Sequence, residues 1–213
     1  YLHSANISCG FHAGNEYTIR KAVENALKHG LNIGAHPGFN DPANFGRIET
    51  ALDEDELRRL IYSQLAYFSS FTGKIHHVKP HGALYNMSAR RQDYARIIAE
   101  EVYNFDPHLI LYGLSGSLSI TEAQRVGLAT RSEVFADRAY LSDGSLAPRT
   151  RKGAVLHDKT SIRKQIYSLV NGLPVETLDG PPVLLTAETI CIHSDTENAL
   201  EIAKVVFEEV NSE

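Results

Sequence analysis

Apolar residues along this chain recur in two alternating rhythms, short runs that read as strands and longer segments with apolar positions three and four apart that read as helices. "SANISCGF" is strand-like, and "NEYTIRKAVENALKHG" then places Ile19, Val23, Ala26 and Leu27 on one helical face before Gly30 stops it. "LNIGAHPG" is the next strand, followed by a polar loop from Asp41 to Ile48. "DEDELRRLIYSQLAYFSSF" opens with Asp53 and Glu56 in capping-box spacing and buries Leu57, Leu60, Ile61, Leu65 and Phe68. Lys74 and Ile75 begin a third strand that runs into "HHVKPHGALYN", after which Ser88 is expected to cap a helix carrying Tyr94, Ile97, Ile98 and Val102. "HLILYGL" reads as a strand, "SLSITEAQRVG" as a short helix and "LATRSEVFAD" as a further strand.

Regularity then breaks. Residues 137–159 read as one long polar connection, and a loop of that length is more often functional than idle. A helix with Ile162, Ile166, Leu169 and Val170 follows, then "LPVETLDGPPVLLT", a small hairpin turned at Asp179-Gly180. "ETICIHSD" is the last strand, and the final helix carries Leu200, Ala203, Val206, Phe207 and Val210.

Strand–helix alternation predicts a parallel sheet, either open and doubly wound or closed as a barrel, and periodicity does not choose between them. The polar residues do. The strands end in Cys9-Gly10-Phe11-His12, Ala35-His36-Pro37-Gly38, Lys79-Pro80-His81-Gly82, Gly113-Leu114-Ser115-Gly116, Phe135-Ala136-Asp137-Arg138 and His193-Ser194-Asp195. An open sheet concentrates its ligand groups at a switch point, whereas a barrel gathers every strand end around one mouth, so uniform decoration favours the barrel. Only the six main strands are visible. The chain opens at Tyr1 directly on "SANISC", so its first strand is expected to be missing; residues 1–213 otherwise read as a single domain.

With 213 residues, 43% of them hydrophobic, there is room for a substantial core. A net charge of −5 gives no global basic field for nucleic acid. No apolar run approaches the roughly 20 residues that span a bilayer, so a cytoplasmic location is expected. Cys9 and Cys191 lie in apolar segments far apart and read as buried, reduced thiols.

The candidate chemistry sits at the strand ends. His12, His36, His81 and His193 occupy equivalent positions, whereas His3, His29, His76, His108 and His157 read as surface or packing residues. His77 is expected to face away from Lys79 and His81. Lys79 lies in an apolar strand and needs an anion beside it, from substrate or from a structural acid. Arg47 and Arg149, on the two long loops, have the bidentate geometry to clamp a carboxylate or phosphate. "GLSGS", with Gly113, Ser115 and Gly116, follows a strand and precedes a helix, where backbone N–H groups cradle phosphate. His12, His36, His193 and Asp195 form a candidate site for a divalent metal. There is no Walker sequence, no G-x-S-x-G elbow and no cysteine suited to nucleophilic attack.

With "SANISCGFHAG", "IGAHPGF", "FGR", "HVKPHGALYN", "FADRAY", "DGSLAPR" and "ETICIHSDT" side by side, the sequence resembles the LamB/YcsF family over essentially its whole length. The resemblance implies a distorted (β/α)7 barrel, TIM-like and of the glycoside hydrolase/deacetylase type. It also implies an activity, the ATP-dependent hydrolytic opening of 5-oxoproline to L-glutamate. Nucleotide binding with Mg2+ accompanying the ATP, and 5-oxoprolinase subunits B and C as partners, come with it. On this reading Lys79, His36, Arg47, Arg138 and Arg149 meet the anionic groups, and His12 or His81 is the base. The loop after Gly113 holds phosphate. The family pattern starts with an acidic strand ahead of Tyr1; within the chain, Asn15 stands for Asp, Ile48 for a second Arg, Glu188 for Asp and Ser194 for Gly. Two other readings stay open: a metal-dependent deacetylase or amidohydrolase of a small or carbohydrate substrate, working without ATP in carbohydrate metabolism, and a non-catalytic binding component. Another copy of the chain is a further candidate partner.

Overall fold

A computed structural model describes residues 1–196 and 198–212. Strands and helices alternate as β1 (Ser4–Ser8), α1 (Glu16–Lys28), β2 (Asn32–His36), a 3-10 turn (Pro42–Asn44), α2 (Glu54–Ser69), β3 (His77–Val78), α3 (Gly82–Arg90), α4 (Gln92–Phe105), β4 (Ile110–Leu114), α5 (Leu118–Arg125), β5 (Ala129–Phe135), α6 (Lys159–Val170), β6 (Thr189–Cys191) and α7 (Ala199–Asn211). Strand order in the sheet is chain order, β1 to β6, and β1–β2, β2–β3, β3–β4 and β5–β6 pair in parallel. Sequential order is that of the barrel type; a doubly wound sheet reverses its order at a switch point. Among the described residues, no helix is long and apolar enough to cross a membrane.

The chain divides into two compact units. The larger, residues 3–113 and 117–131, holds β1 to β4 and α1 to α5. Its register aligns side chains in rows across the sheet. Ile7, Ala35, Val78 and Leu111 are successive partners and all enter the hydrophobic core, together with Ile19 and Val23 of α1 and Leu57, Ile61 and Leu65 of α2. The neighbouring row, Asn6, Gly34 and His77, faces the other way, because successive side chains on a strand alternate. In that row the buried His77 Nε2 meets Asn6 Oδ1 at 2.9 Å, reaching past Gly34, where an added Cβ would lie 2.1 Å from the same nitrogen. His77 therefore shares its face with Lys79 two residues on, contrary to the expectation that it turns away.

Local signals account for the helix ends. Asn15 accepts the Thr18 N–H in a capping box, so the departure from Asp loses nothing at this cap, where Asn and Asp are equivalent. Asp53 and Glu56 form the second box as read from the sequence. Ser88, expected as a cap, lies inside α3 and donates to the Tyr85 carbonyl; the helix starts at Gly82, and extended backbone at Arg91 separates it from α4. Leu27 is exposed, since Ile19, Val23 and Ala26 define the buried face of α1 and Leu27 lies at its edge.

The smaller unit comprises residues 1–2, 114–116 and 132–213. Its long connection is not simply polar. Arg138 bridges Val155 and Tyr140 bridges Leu146, while Tyr140, Ala147 and Ala154 are buried. The Tyr140 hydroxyl accepts the Phe135 N–H at 2.7 Å, tying this loop to the end of β5. The expected hairpin is reduced to one antiparallel bridge, Val175 to Val183. In α7, Ile202, Ala203, Val205 and Val206 are buried, whereas Leu200, Phe207 and Val210 are exposed.

Candidate active site

In the larger unit the ends of β1, β2 and β3 bring His12, His36 and His81 together. His81 occupies the position that caps α3, yet its side chain makes no capping bond. It turns instead between His36 Nε2, 3.0 Å from its Nδ1, and the Phe45 carbonyl, 2.8 Å from its Nε2. Gly82 makes that turn possible. Its φ is +56°, and a Cβ there would stand 2.6 Å from the Gly46 carbonyl, which accepts the Ala83 N–H instead.

Hydrogen-bond roles follow from the acceptors. A carbonyl oxygen only accepts, so His36 Nδ1 donates to Lys79 O at 2.6 Å and His81 Nε2 donates to Phe45 O. With both outer nitrogens donating, the two inner nitrogens need one proton between them to form a bond at 3.0 Å. Burial and the charges of His81, Lys79 and His12 press His36 toward its neutral form, so His36 Nε2 accepts and His81, donating from both nitrogens, is an imidazolium while this bond is made.

His12 stacks on His81, ring centroids 3.9 Å apart and planes within 4°. It is buried, and its Nδ1 has no hydrogen-bond partner among the described residues. Gly38 leaves room for that nitrogen, because a Cβ there would lie 2.8 Å from it. Burial, and then the charges of His81 and Arg47, lower His12 to about 3, so its imidazole is neutral at pH 7 and able to accept a proton. Lys79 is buried, its ammonium 5.6 Å from the centre of the Tyr85 ring, a π face that favours a cation without neutralising it. Arg47 is exposed and lies over Phe45 at 5.0 Å. Buried Gln64 fixes this rim by accepting the Gly38 N–H at 3.0 Å and donating to the Gly38 carbonyl at 2.8 Å. Sequence reading passed over Gln64, since a single glutamine on an apolar helix face carries no motif.

Of the other anion candidates, Gly113 packs against α5, where a Cβ would meet Ser119 at 2.9 Å. In the smaller unit Ser115 Oγ accepts the Thr186 N–H at 2.9 Å, and Gly116 at φ +72° opens onto free space. Arg138 is buried and donates to the carbonyls of Ala147 and Ala154, which stitches the long loop together, while Arg149 is exposed on that loop. The smaller unit also holds a constellation of its own. Asp137, fully buried, receives His193 Nδ1 at 3.0 Å on each carboxylate oxygen and the Thr196 hydroxyl at 3.2 Å. Burial opposes ionisation of Asp137, but its bonds to His193 win and hold its carboxyl below the usual range.

The expected metal ligands fall in different units, His12 and His36 in the larger, His193 and Asp195 in the smaller. Both His36 nitrogens are engaged, by Lys79 O and by His81. No group of three or more His, Cys, Asp or Glu side chains able to hold a metal ion occurs among the described residues. Cys9 and Cys191 are buried free thiols, and burial pushes Cys9 up to about 12, which removes it as a nucleophile at neutral pH.

Comparison with known proteins places the chain in context. The model of the LamB/YcsF family matches residues 1–213. The 5-oxoprolinase A subunit of Staphylococcus carnosus is 47% identical over 216 residues, covering 100% of this chain and 86% of the relative. That of Geobacillus thermodenitrificans is 45% identical over 208 residues, covering 96% and 81%. Among solved structures, the lactam utilization protein from Thermus thermophilus superposes with a TM-score of 0.90 at 42% identity, covering 98% of this chain and 85% of the other. Fold, strand-end residues and whole-length similarity agree: the chain belongs to the LamB/YcsF family.

Proposed function

We propose that this chain is the A subunit of a 5-oxoprolinase, which opens the lactam ring of 5-oxoproline to L-glutamate with hydrolysis of ATP and in company with subunits B and C. The observation that carries the reading is the trio of imidazoles, two of them buried and His12 Nδ1 without a partner among the described residues, beside buried Lys79 just past the end of β3. Relatives named as 5-oxoprolinase A subunits support it.

The chemistry needs such a set. A lactam carbonyl is a weak electrophile because its nitrogen donates into it. Transfer of the ATP γ-phosphoryl group to the carbonyl oxygen, with Mg2+ accompanying the nucleotide, turns that oxygen into a leaving group. Water then adds to the carbon, its proton is taken up and the ring nitrogen leaves with a proton as the C–N bond opens. The acyl phosphate so formed is hydrolysed by a second water to L-glutamate and phosphate. Neutral His12, with a lone pair at pH 7, takes the proton of the attacking water, its low basicity rising toward the working pH when the anionic substrate and phosphate bind beside it. The positive charge of the His36–His81 pair, whose N–H groups stay on their own acceptors, acts through space on the anionic groups of the reaction. Lys79, with Arg47 at the rim, meets the substrate carboxylate.

The test is glutamate release from 5-oxoproline by the full-length protein reconstituted with B and C. Omitting ATP is expected to abolish it, and His12→Gln and Lys79→Ala each to lower kcat/KM by about 100-fold or more while far-UV spectra stay unchanged. Undiminished turnover in both variants would remove the proposed site, and turnover without ATP would remove the phosphorylation step.

A further inference from the structure

At the amino ends of β3 and β4 the larger unit has a cavity of about 460 Å³, whose lining includes Lys74, Ile75, His76, Phe105, Asp106 and His108. None of the histidines at the carboxyl ends lines it. Its chemistry is two-sided. Ile75 and Phe105 give it an apolar wall, while Lys74, His76 and His108 give it basic groups. The one carboxylate among these six, on Asp106, already accepts the His108 N–H at 2.9 Å.

His76 is held toward this space by the row that crosses the sheet. His77 Nε2 donates to Asn6 Oδ1 at 2.9 Å, and burial presses His77 down to about 3, so it is neutral and its Nδ1 carries a lone pair. His76 Nδ1, 3.1 Å away, is therefore the donor, which leaves His76 Nε2 as its remaining polar atom. The charges of Lys74 and Arg131 reach His76 and, after burial, disfavour its protonated form; the local field is positive.

We propose that this cavity binds a small organic anion, a carboxylate borne on an apolar or aromatic body. The carboxylate meets Lys74 and the Nε2 edge of His76, and the body lies against Phe105 and Ile75. An anion there offsets the positive field and favours the protonated His76, whose Nε2–H then donates to it. His77 keeps the ring from rotating away, because its Nδ1 lone pair accepts the His76 Nδ1–H. This site is independent of the catalytic reading, since it shares no residue with it.

Benzoate serves as the probe and inorganic phosphate as the control without an apolar body, with imidazole 1H–15N resonances of the full chain as readout. Saturable shifts of His76 and His108 at millimolar benzoate are expected, with His12 and His36 unmoved, and at least 10-fold weaker saturation by phosphate. The exposed substitution Lys74→Ala is expected to weaken benzoate binding at least 10-fold with the spectrum otherwise preserved. Absence of saturation, or unchanged affinity in Lys74→Ala, overturns the site. Equal binding of phosphate overturns the assignment of an apolar body, and shifts centred on His12 and His36 would move the anion to the catalytic end.

Discussion

Buried histidines in the larger unit rest on carbonyl oxygens, an amide and one another, whereas His193 in the smaller unit rests on a fully buried carboxylate. Both arrangements fix the ring and its tautomer, but they store different charge. A neutral imidazole, as at His12 and His77, costs little to bury and keeps a lone pair for a proton. The Asp137–His193 pair keeps an ionised acid away from water, and that acid is tolerable only while its partners remain. The first suits a residue that must exchange protons, the second one that must not move.

The largest expected effect separates the two directly. His193→Ala strands the Asp137 carboxylate with only Thr196 and backbone donors, and should destabilise the protein by about 3 kcal/mol in urea denaturation. The double substitution Asp137→Leu, His193→Leu removes both charges and should recover most of that loss. His12→Ala deletes a ring whose Nδ1 has no partner among the described residues and leaves no charge behind. It should cost less, about 1–2 kcal/mol for lost packing. If His12→Ala proves the more damaging, the contrast between the two regions is wrong.

Acid should tell them apart next. His77 and His12 have folded values near 3, well below the ordinary histidine value, so between those limits the unfolded chain binds more protons than the folded one. Stability is therefore fully present above about pH 6.5 and falls as pH drops toward 3, by up to about 1.4 kcal/mol per pH unit for each group. Asp137 is also lowered, but as an acid; its contribution persists down to the ordinary aspartate range and is lost only below it. Replacing His77 with Gln, which can still donate to Asn6, should flatten the slope between pH 6.5 and 4, whereas Asp137→Asn should lower the curve evenly above about pH 4 and change its slope only below that. An unchanged slope in His77→Gln would mean that this histidine is protonated in the folded chain.

Much of this was legible in the sequence. Period-3.6 segments and capping boxes at Asn15 and Asp53 gave the helices, and the glycine-flanked strand ends located His12, His36, Lys79 and His81. What escaped has a common cause. The face of His77 and the role of Gly34 depend on register across three strands, which no single segment encodes. The helix beginning at Gly82 was hidden because its cap is a histidine engaged elsewhere. The loop at 137–159 looked polar because its buried members are alanines and one tyrosine, spread among charged neighbours rather than set at a strand or helix period.

The smallest contrast concerns how each rim is held. Gln64 grips Gly38 at both its N–H and its carbonyl, and also donates to the Leu60 carbonyl. Gln165 spreads one Nε2 over three carbonyls, those of Phe135, Ala136 and Arg138, at 2.8, 3.3 and 2.9 Å. An Nε2 has two hydrogens, so Gln165 saturates fewer bonds than it has acceptors, and losing it frees carbonyls that tolerate weak pairing better than an N–H does. Gln64→Leu leaves the buried Gly38 N–H without its acceptor, a loss of about 2 kcal/mol, against about 1 kcal/mol for Gln165→Leu. Hydrogen exchange reads the difference locally, because the Gly38 amide should exchange roughly 30-fold faster in Gln64→Leu, the ratio that about 2 kcal/mol implies. In Gln165→Leu that amide should stay as protected as in the parent, since its acceptor is intact. Accelerated exchange at Gly38 in both variants would mean that the two rims open together and that the independence of the two regions fails.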